Sequence, residues 1–78
     1  MTHKTNFLRE VSKKKLEKLV ELAPVDPYPL YRAARIGIFR NIRRVAIDYL
    51  ENEIYKAKHQ KLRHHFQIVI DILKDEVF

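Results

Sequence analysis

The stretch RIGIFRNIRR, residues 35–44, offers cationic side chains for chemistry, because it holds four arginines among Ile36, Ile38, Phe39 and Ile42. A guanidinium group pairs with carboxylates and phosphates through parallel hydrogen bonds, and its stem covers apolar surface. On a helical wheel these arginines do not gather on one side, as they would on a helix that follows a phosphate backbone. The pattern therefore favours arginines that rim a protein interface and pair there with acidic groups.

A second basic cluster lies nearer the N-terminus, where Lys13, Lys14, Lys15 and Lys18 stand together with Lys4 and Arg9. A flexible basic arm binds phosphates without sequence preference, and its affinity falls steeply with salt. Together with two arginines of the middle segment, this cluster defines an alternative, polyanion-binding site. The residues of that alternative site are Lys13, Lys14, Lys15, Lys18, Arg40 and Arg44.

Three histidines, His59, His64 and His65, carry metal-binding chemistry, but their spacings of five, six and one do not match a helical metal pair. Such a pair needs ligands at i, i+3 or i, i+4. The chain has no cysteine, a single serine and a single glycine, so it lacks a thiol nucleophile and a glycine-rich phosphate loop. We therefore predict no catalytic residue, no metal site, no cofactor and no enzymatic activity.

The composition bounds the kind of protein that positions these residues. A length of 78 residues makes a single domain, and an apolar fraction of 46% is generous for a chain of this size. Small chains with many apolar residues often complete their core on another chain. The net charge of +6 suits an anionic partner, which includes nucleic acid, anionic lipid and acidic protein surfaces.

The chain carries no sequence signal for export or for membrane insertion. The N-terminal stretch MTHKTNFLREVSKKK has no apolar core of a secretory signal, and no apolar run approaches the ~18 residues of a membrane span. The absence of cysteine fits a reducing compartment, so a cytoplasmic location is expected. A membrane partner is not expected, because the lysine-rich arm lacks a strong apolar face opposite its charges.

Two helices are predicted around a proline-rich segment. The first covers 13–23, where apolar residues recur at helical spacing, and residues 1–11 form a loosely attached basic extension. Residues 24–29 contain three prolines and are predicted to be a stiff linker. The second helix, 30–57, is apolar on two roughly opposite sides, and a helix of this kind is buried on both sides.

A third helix is predicted over 61–76. Its apolar stripe is out of phase with that of the second helix, which indicates a break within 58–61. This tetrapeptide contains no strong helix breaker, so one continuous helix remains the alternative.

These elements predict an all-α fold, a short–long–short three-helix bundle that is completed by dimerisation or by a partner chain. The preferred function is a non-enzymatic protein–protein interaction or adaptor module with a regulatory or structural role. A nucleic-acid-binding protein is the alternative. The predicted interface residues are Ile36, Phe39, Ile47, Leu50, Ile54, Ile68, Ile72, Arg32, Arg35 and Arg43.

The tripeptide Leu30-Tyr31-Arg32 resembles the motif of the mitochondrial LYR adaptor family, whose members are small, basic and helical. The resemblance covers three residues. That family places the motif early in its first helix, whereas here a predicted helix and a proline-rich linker precede it. We therefore assign the chain to no family on this motif.

Overall fold

Four α-helices and a short 3-10 helix form the computed structural model, which describes the backbone of residues 2–75 and the side chains of residues 7–75. The α-helices are α1 (Thr2–Leu22), α2 (Tyr28–Arg35), α3 (Arg43–Lys56) and α4 (Gln60–Asp75). The 3-10 helix covers Arg40–Ile42 and leads directly into α3. This described part contains no strand, and the predicted all-α class is confirmed.

The helices pack as a bundle in which the chain reverses direction between successive helices. The turn after α1 and the turn between α3 and α4 lie at the same end, because Pro24, Pro27, His59 and Leu62 line one groove. We call this the proline end. The opposite end holds residues 36–44 and is called the arginine end. Helix α4 packs along α3 and α2, and α1 packs against the 3-10 helix and α2.

All four α-helices and the 36–42 turn contribute side chains to one apolar core. Each helix turns one apolar side inward and leaves its polar side in solvent. The buried residues are Leu16, Val20, Ala23, Leu30, Ala33, Ala34, Phe39, Ile42, Ala46, Leu50, Phe66, Val69, Ile70 and Leu73.

The predicted single helix over 30–57 is wrong, because the chain turns at Gly37. This residue has a φ of +85°, a conformation that glycine adopts far more easily than other residues. Its N–H donates to the carbonyl of Ala34, and the N–H of Ile38 donates to the carbonyl of Ala33. These two bonds form a Schellman motif, in which glycine occupies the position after the C-cap residue, here Ile36.

Because of the turn, residues from the second apolar side of that predicted helix lie in the core of this chain. Phe39 lies in the turn and Leu50 lies in α3, and both are fully buried in the core of this chain. Both were predicted to contact a partner. In this fold they present no surface to one, so their assignment to a protein interface is corrected. The short–long–short order of helices is likewise replaced by one long helix, one short helix and two of intermediate length.

Of the remaining predicted helix boundaries, one is confirmed and others lie at different residues in the structure. The break before α4 is confirmed, since Ala57 adopts an extended backbone with φ −70° and ψ 128°. Residues 2–11, predicted as a separate extension, instead continue α1. Helix α2 begins inside the predicted linker, because Pro29 falls in the first turn of the helix, where no N–H is needed. Position 76, the predicted end of the last helix, lies outside the described residues.

Truncation of a core side chain tests whether Leu50 belongs to this chain's own core. Replacing Leu50 by Ala should lower the free energy of unfolding by about 2–5 kcal/mol, because a cavity replaces buried apolar contacts. Replacing Tyr55, which is exposed on the same helix, by Ala should change the free energy of unfolding by less than about 0.5 kcal/mol. Urea titrations followed by circular dichroism measure both, and equal effects of the two substitutions would refute the core assignment.

Candidate functional site

The side chains of Tyr31 and His65 join α2 to α4. The Tyr31 hydroxyl hydrogen-bonds to Nδ1 of His65, and the rings meet edge to face with centroids 5.6 Å apart. Burial raises the pKa of the Tyr31 hydroxyl, and the positive charge of Arg35 opposes this rise. The hydroxyl therefore stays protonated at neutral pH. This pair has the geometry of a packing contact between helices.

The other two of the three histidines lie at the surface. His59 is exposed in the turn before α4, and His64 is exposed on α4 itself. The described residues include no group of three or more His, Cys, Asp or Glu side chains placed to hold a metal ion. His65 is thus a half-buried packing residue, separate in its surroundings from its two neighbours in sequence.

Apart from the two core residues, the predicted interface residues divide into half-buried and exposed sets. The half-buried residues are Arg43, Ile47, Ile54, Ile68 and Ile72. The exposed residues are Arg32, Arg35 and Ile36. The three exposed residues all belong to the last two turns of α2 or follow it directly, so only this part of the predicted interface is freely accessible.

A mixed aromatic and cationic patch covers the outer side of α2. Tyr28, Arg32 and Arg35 recur at i, i+4 and i+7 and are all exposed, and Ile36 at the helix end is 63% exposed. We call these four residues the α2 patch. Tyrosine and arginine are enriched among the residues that dominate binding energy in protein interfaces. Exposed aromatic rings also stack on unpaired nucleic-acid bases.

At the arginine end, α1 brings its own cations to the arginines of the turn. Arg9 and Lys13 line a shallow groove with Val45, the third residue of α3. The hydroxyl of Ser12 donates to the side-chain oxygen of Asn41 over 3.1 Å, which ties α1 to the 3-10 helix. Two segments about thirty positions apart in the chain therefore meet at one surface, as the separation of 29 residues between the bonded pair shows.

Two arginines of the second segment are adjacent in sequence to residues of this contact. Arg40 precedes the bonded asparagine and Arg44 precedes the groove-lining valine. We call Arg9, Lys13, Arg40 and Arg44 the basic surface. Among residues 7–75, Arg9, Lys13 and Arg44 form no ion pair within the chain. Glu10 also lines the groove and is the nearest carboxylate in sequence to the two cations of α1.

The segment 27–47 contains five arginines and no aspartate or glutamate. The carboxylates of α1 that follow Lys13 lie beside α3, where Glu17 and Glu21 surround Tyr49 together with Glu53. Burial raises the pKa of the Tyr49 hydroxyl, and these three negative charges raise it further. The fold thus places negative charge around Tyr49 and leaves the arginine end strongly positive.

The predicted polyanion-binding set is divided by this arrangement. Lys13 joins Arg40 and Arg44 at the basic surface, whereas Lys15 and Lys18 are exposed on the opposite, outer side of α1. Lys14 is exposed at the edge between the two. Arg9 was predicted as part of the N-terminal basic cluster, although it was not among the six residues of the predicted polyanion-binding set. Because α1 continues to the N-terminus, Arg9 lies one helical turn before Lys13.

None of the helices in the described part combines the length and the apolar character needed to cross a membrane. Comparison of the chain with protein-family models, with curated proteins and with solved structures finds no match. A function must therefore be inferred from the surfaces of this chain itself.

The contact between α2 and α4 generates a stability prediction. Replacing Tyr31 by Phe removes the hydroxyl and leaves Nδ1 of His65 without this partner, which should lower the free energy of unfolding by about 0.5–1.5 kcal/mol. The matched control is Tyr28→Phe, since that tyrosine is exposed on the same helix. Denaturation curves that coincide for the two variants would show that the hydrogen bond contributes nothing.

Proposed function

We propose that this chain is a non-enzymatic nucleic-acid-binding protein that contacts the phosphate backbone through the basic surface. The observation that carries the proposal is the groove at the arginine end, where Arg9 and Lys13 of α1 lie beside Val45, the residue that follows Arg44 in α3. None of these three cations forms an ion pair among residues 7–75. Unpaired cations gathered on one surface attract a polyanion and release its counterions on binding.

The burial of Phe39 and Leu50 supports this choice over the adaptor function that the sequence favoured. An adaptor surface on the middle segment needs accessible apolar side chains, and these two are enclosed by the chain's own helices. Their burial removes the strongest reason for a partner on α3. The arginines on either side of Phe39 in the sequence remain, and the segment 27–47 contains five arginines and no carboxylate.

A salt titration of nucleic-acid binding tests the basic surface. Fluorescence anisotropy on a labelled DNA duplex and on single-stranded RNA should show binding at low salt that weakens as salt rises. The double variant Arg9→Gln, Arg44→Gln should lower the slope of log affinity against log salt by about 2 on the duplex, because each lost phosphate contact removes ~0.9.

The charge-matched control is Lys58→Gln, Lys61→Gln, which removes two exposed lysines near the proline end. This control should leave the salt slope close to that of the wild type. Absence of binding at ~50 mM salt, where the electrostatic attraction is strong, would refute the proposed function. Equal losses in the two double variants would refute the basic surface as its site.

A second candidate function is self-association through the α2 patch, and the exposure of Ile36 beside Arg32 and Arg35 favours it. The partner in this candidate is a second copy of the chain. Helix α3 exposes Asp48 and Glu51, which would complement the two arginines across an interface. Protein interaction therefore remains a proposal, with its surface moved from the core-facing side of α3 to the outer side of α2.

Light scattering distinguishes this second candidate. A homodimer would have about twice the 9.4 kDa mass of the chain, and Ile36→Asp should return it to the monomer because a buried carboxylate replaces an apolar contact. Val25→Asp serves as the control, since Val25 is exposed in the turn after α1. A wild-type protein that stays monomeric at high concentration would rule out the dimer.

A further inference from the structure

Three large apolar side chains stand in solvent on the first half of α1. Phe7 is 65% exposed, Leu8 is 56% exposed and Val11 is 48% exposed. Phe7 and Val11 lie on the other side of the helix from the core residues Leu16 and Val20, and Leu8 lies between the two sides. Large contiguous apolar patches are rare on monomeric proteins and mark binding surfaces.

Phe7 and Val11 begin a stripe that runs along the outer side of α1 as far as Leu22. Phe7, Val11, Lys15, Lys18 and Leu22 follow one another at intervals of four, four, three and four, so successive side chains lie one above the other. All five are exposed. Together with Leu8 they form what we call the outer face of α1. At ~1.5 Å per residue the face is about 22 Å long.

The outer face contains no carboxylate. Glu17 and Glu21 lie on the flank of α1 that approaches Tyr49 of α3. Glu10, at helical spacing of seven from Glu17, lies on that same flank. Glu10, three residues after Phe7, lies at the edge of the outer face, and the charged residues within the face are the two lysines.

We propose that the outer face of α1 binds the surface of an anionic lipid bilayer. A helix that lies in the membrane interface inserts apolar side chains between the lipids and places lysines at the anionic headgroups. Phe7, Leu8 and Val11 supply the inserting residues. Lys15 and Lys18 have stems long enough to cross the interface and hold their ammonium groups at the phosphates. The helix lies on the membrane and does not span it.

Charge selects the lipid surface over a second copy of the chain. Two outer faces in contact would bring the lysines of both copies together, with no carboxylate on either face to offset them. An anionic bilayer offers a negative charge for each lysine and hydrocarbon for each apolar side chain. Nucleic acid offers the charge alone, and its backbone has no place for Phe7.

The sequence argued against a membrane partner because no apolar face was expected opposite the lysine cluster. The sequence also predicted that residues 1–11 were separate from the first helix. Since α1 is continuous from Thr2 to Leu22, Phe7 and Val11 fall on the same side as Lys15 and Lys18. The continuity of one helix is therefore what creates the amphipathic face.

Vesicle flotation with the full chain tests the proposal. The protein should float with vesicles made of equal parts phosphatidylglycerol and phosphatidylcholine, and should stay in solution with vesicles of phosphatidylcholine alone. The variant Phe7→Gln, Val11→Gln should bind the anionic vesicles at least about tenfold more weakly, because it loses two inserting side chains. Lys15→Gln and Lys18→Gln should each weaken binding about fivefold.

Val25→Gln is the matched control, because Val25 is a large exposed apolar residue, 85% accessible, outside the outer face. It should bind the anionic vesicles as the wild type does. Circular dichroism of every variant checks that the helices remain folded. Binding of duplex DNA should be unchanged in Phe7→Gln, Val11→Gln, which separates this proposal from the nucleic-acid function and lets either fail alone.

Three results would overturn the proposal. The first is a wild-type protein that does not float with anionic vesicles. The second is equal vesicle binding by Phe7→Gln, Val11→Gln and by Val25→Gln. The third is a wild-type protein that sediments as a dimer while Phe7→Gln, Val11→Gln sediments as a monomer, since a second copy would then cover the outer face.

Discussion

The reversal of the chain at Gly37 is the constraint on which the rest of the bundle depends. A positive φ at this position ends α2, and two hydrogen bonds satisfy carbonyls of its last turn. A Cβ at Gly37 would lie 3.0 Å from Nε of Arg40, so the absence of a side chain also makes room for that arginine. Phe39 can then enter the core from the turn, and α3 runs antiparallel to α2. A straight helix through this point would hold Phe39 far from the helices that bury it.

Segregation of charge follows from the same turn. The turn collects arginines at one end of the bundle, and α1 adds Arg9 and Lys13 to that end. The carboxylates of α1 and α3 meet farther along the helices, around Tyr49. A chain whose charges were evenly mixed would neutralise itself locally. Here the separation produces a positive potential at one end, and such a potential raises the rate at which an anionic partner meets the surface.

Helix α1 takes part in three environments because successive residues point in directions about 100° apart. Leu16 and Val20 face the core, Lys13 faces the groove beside α3, and Val11 faces solvent. Contacts with phosphate groups are common to the two surfaces proposed on this helix. The apolar side chains of the outer face distinguish the two surfaces. Burying these side chains in lipid is favourable, whereas a nucleic-acid backbone offers little apolar surface against which to bury them.

The sequence by itself determined the helical class and the break before α4, because the spacing of apolar residues is a local property that each segment carries alone. It did not reveal that α2 ends at Gly37, since one glycine costs a helix only about 1 kcal/mol and apolar residues continue on both sides of it. The end of α2 at Gly37 follows from tertiary packing, which buries Phe39 and Leu50 within the chain. The candidate site was predicted only in part, in Lys13, Arg40 and Arg44. The contact between α1, which carries Arg9, and the segment that carries Arg40 and Arg44 joins positions about thirty residues apart. Only the tertiary structure brings such segments together.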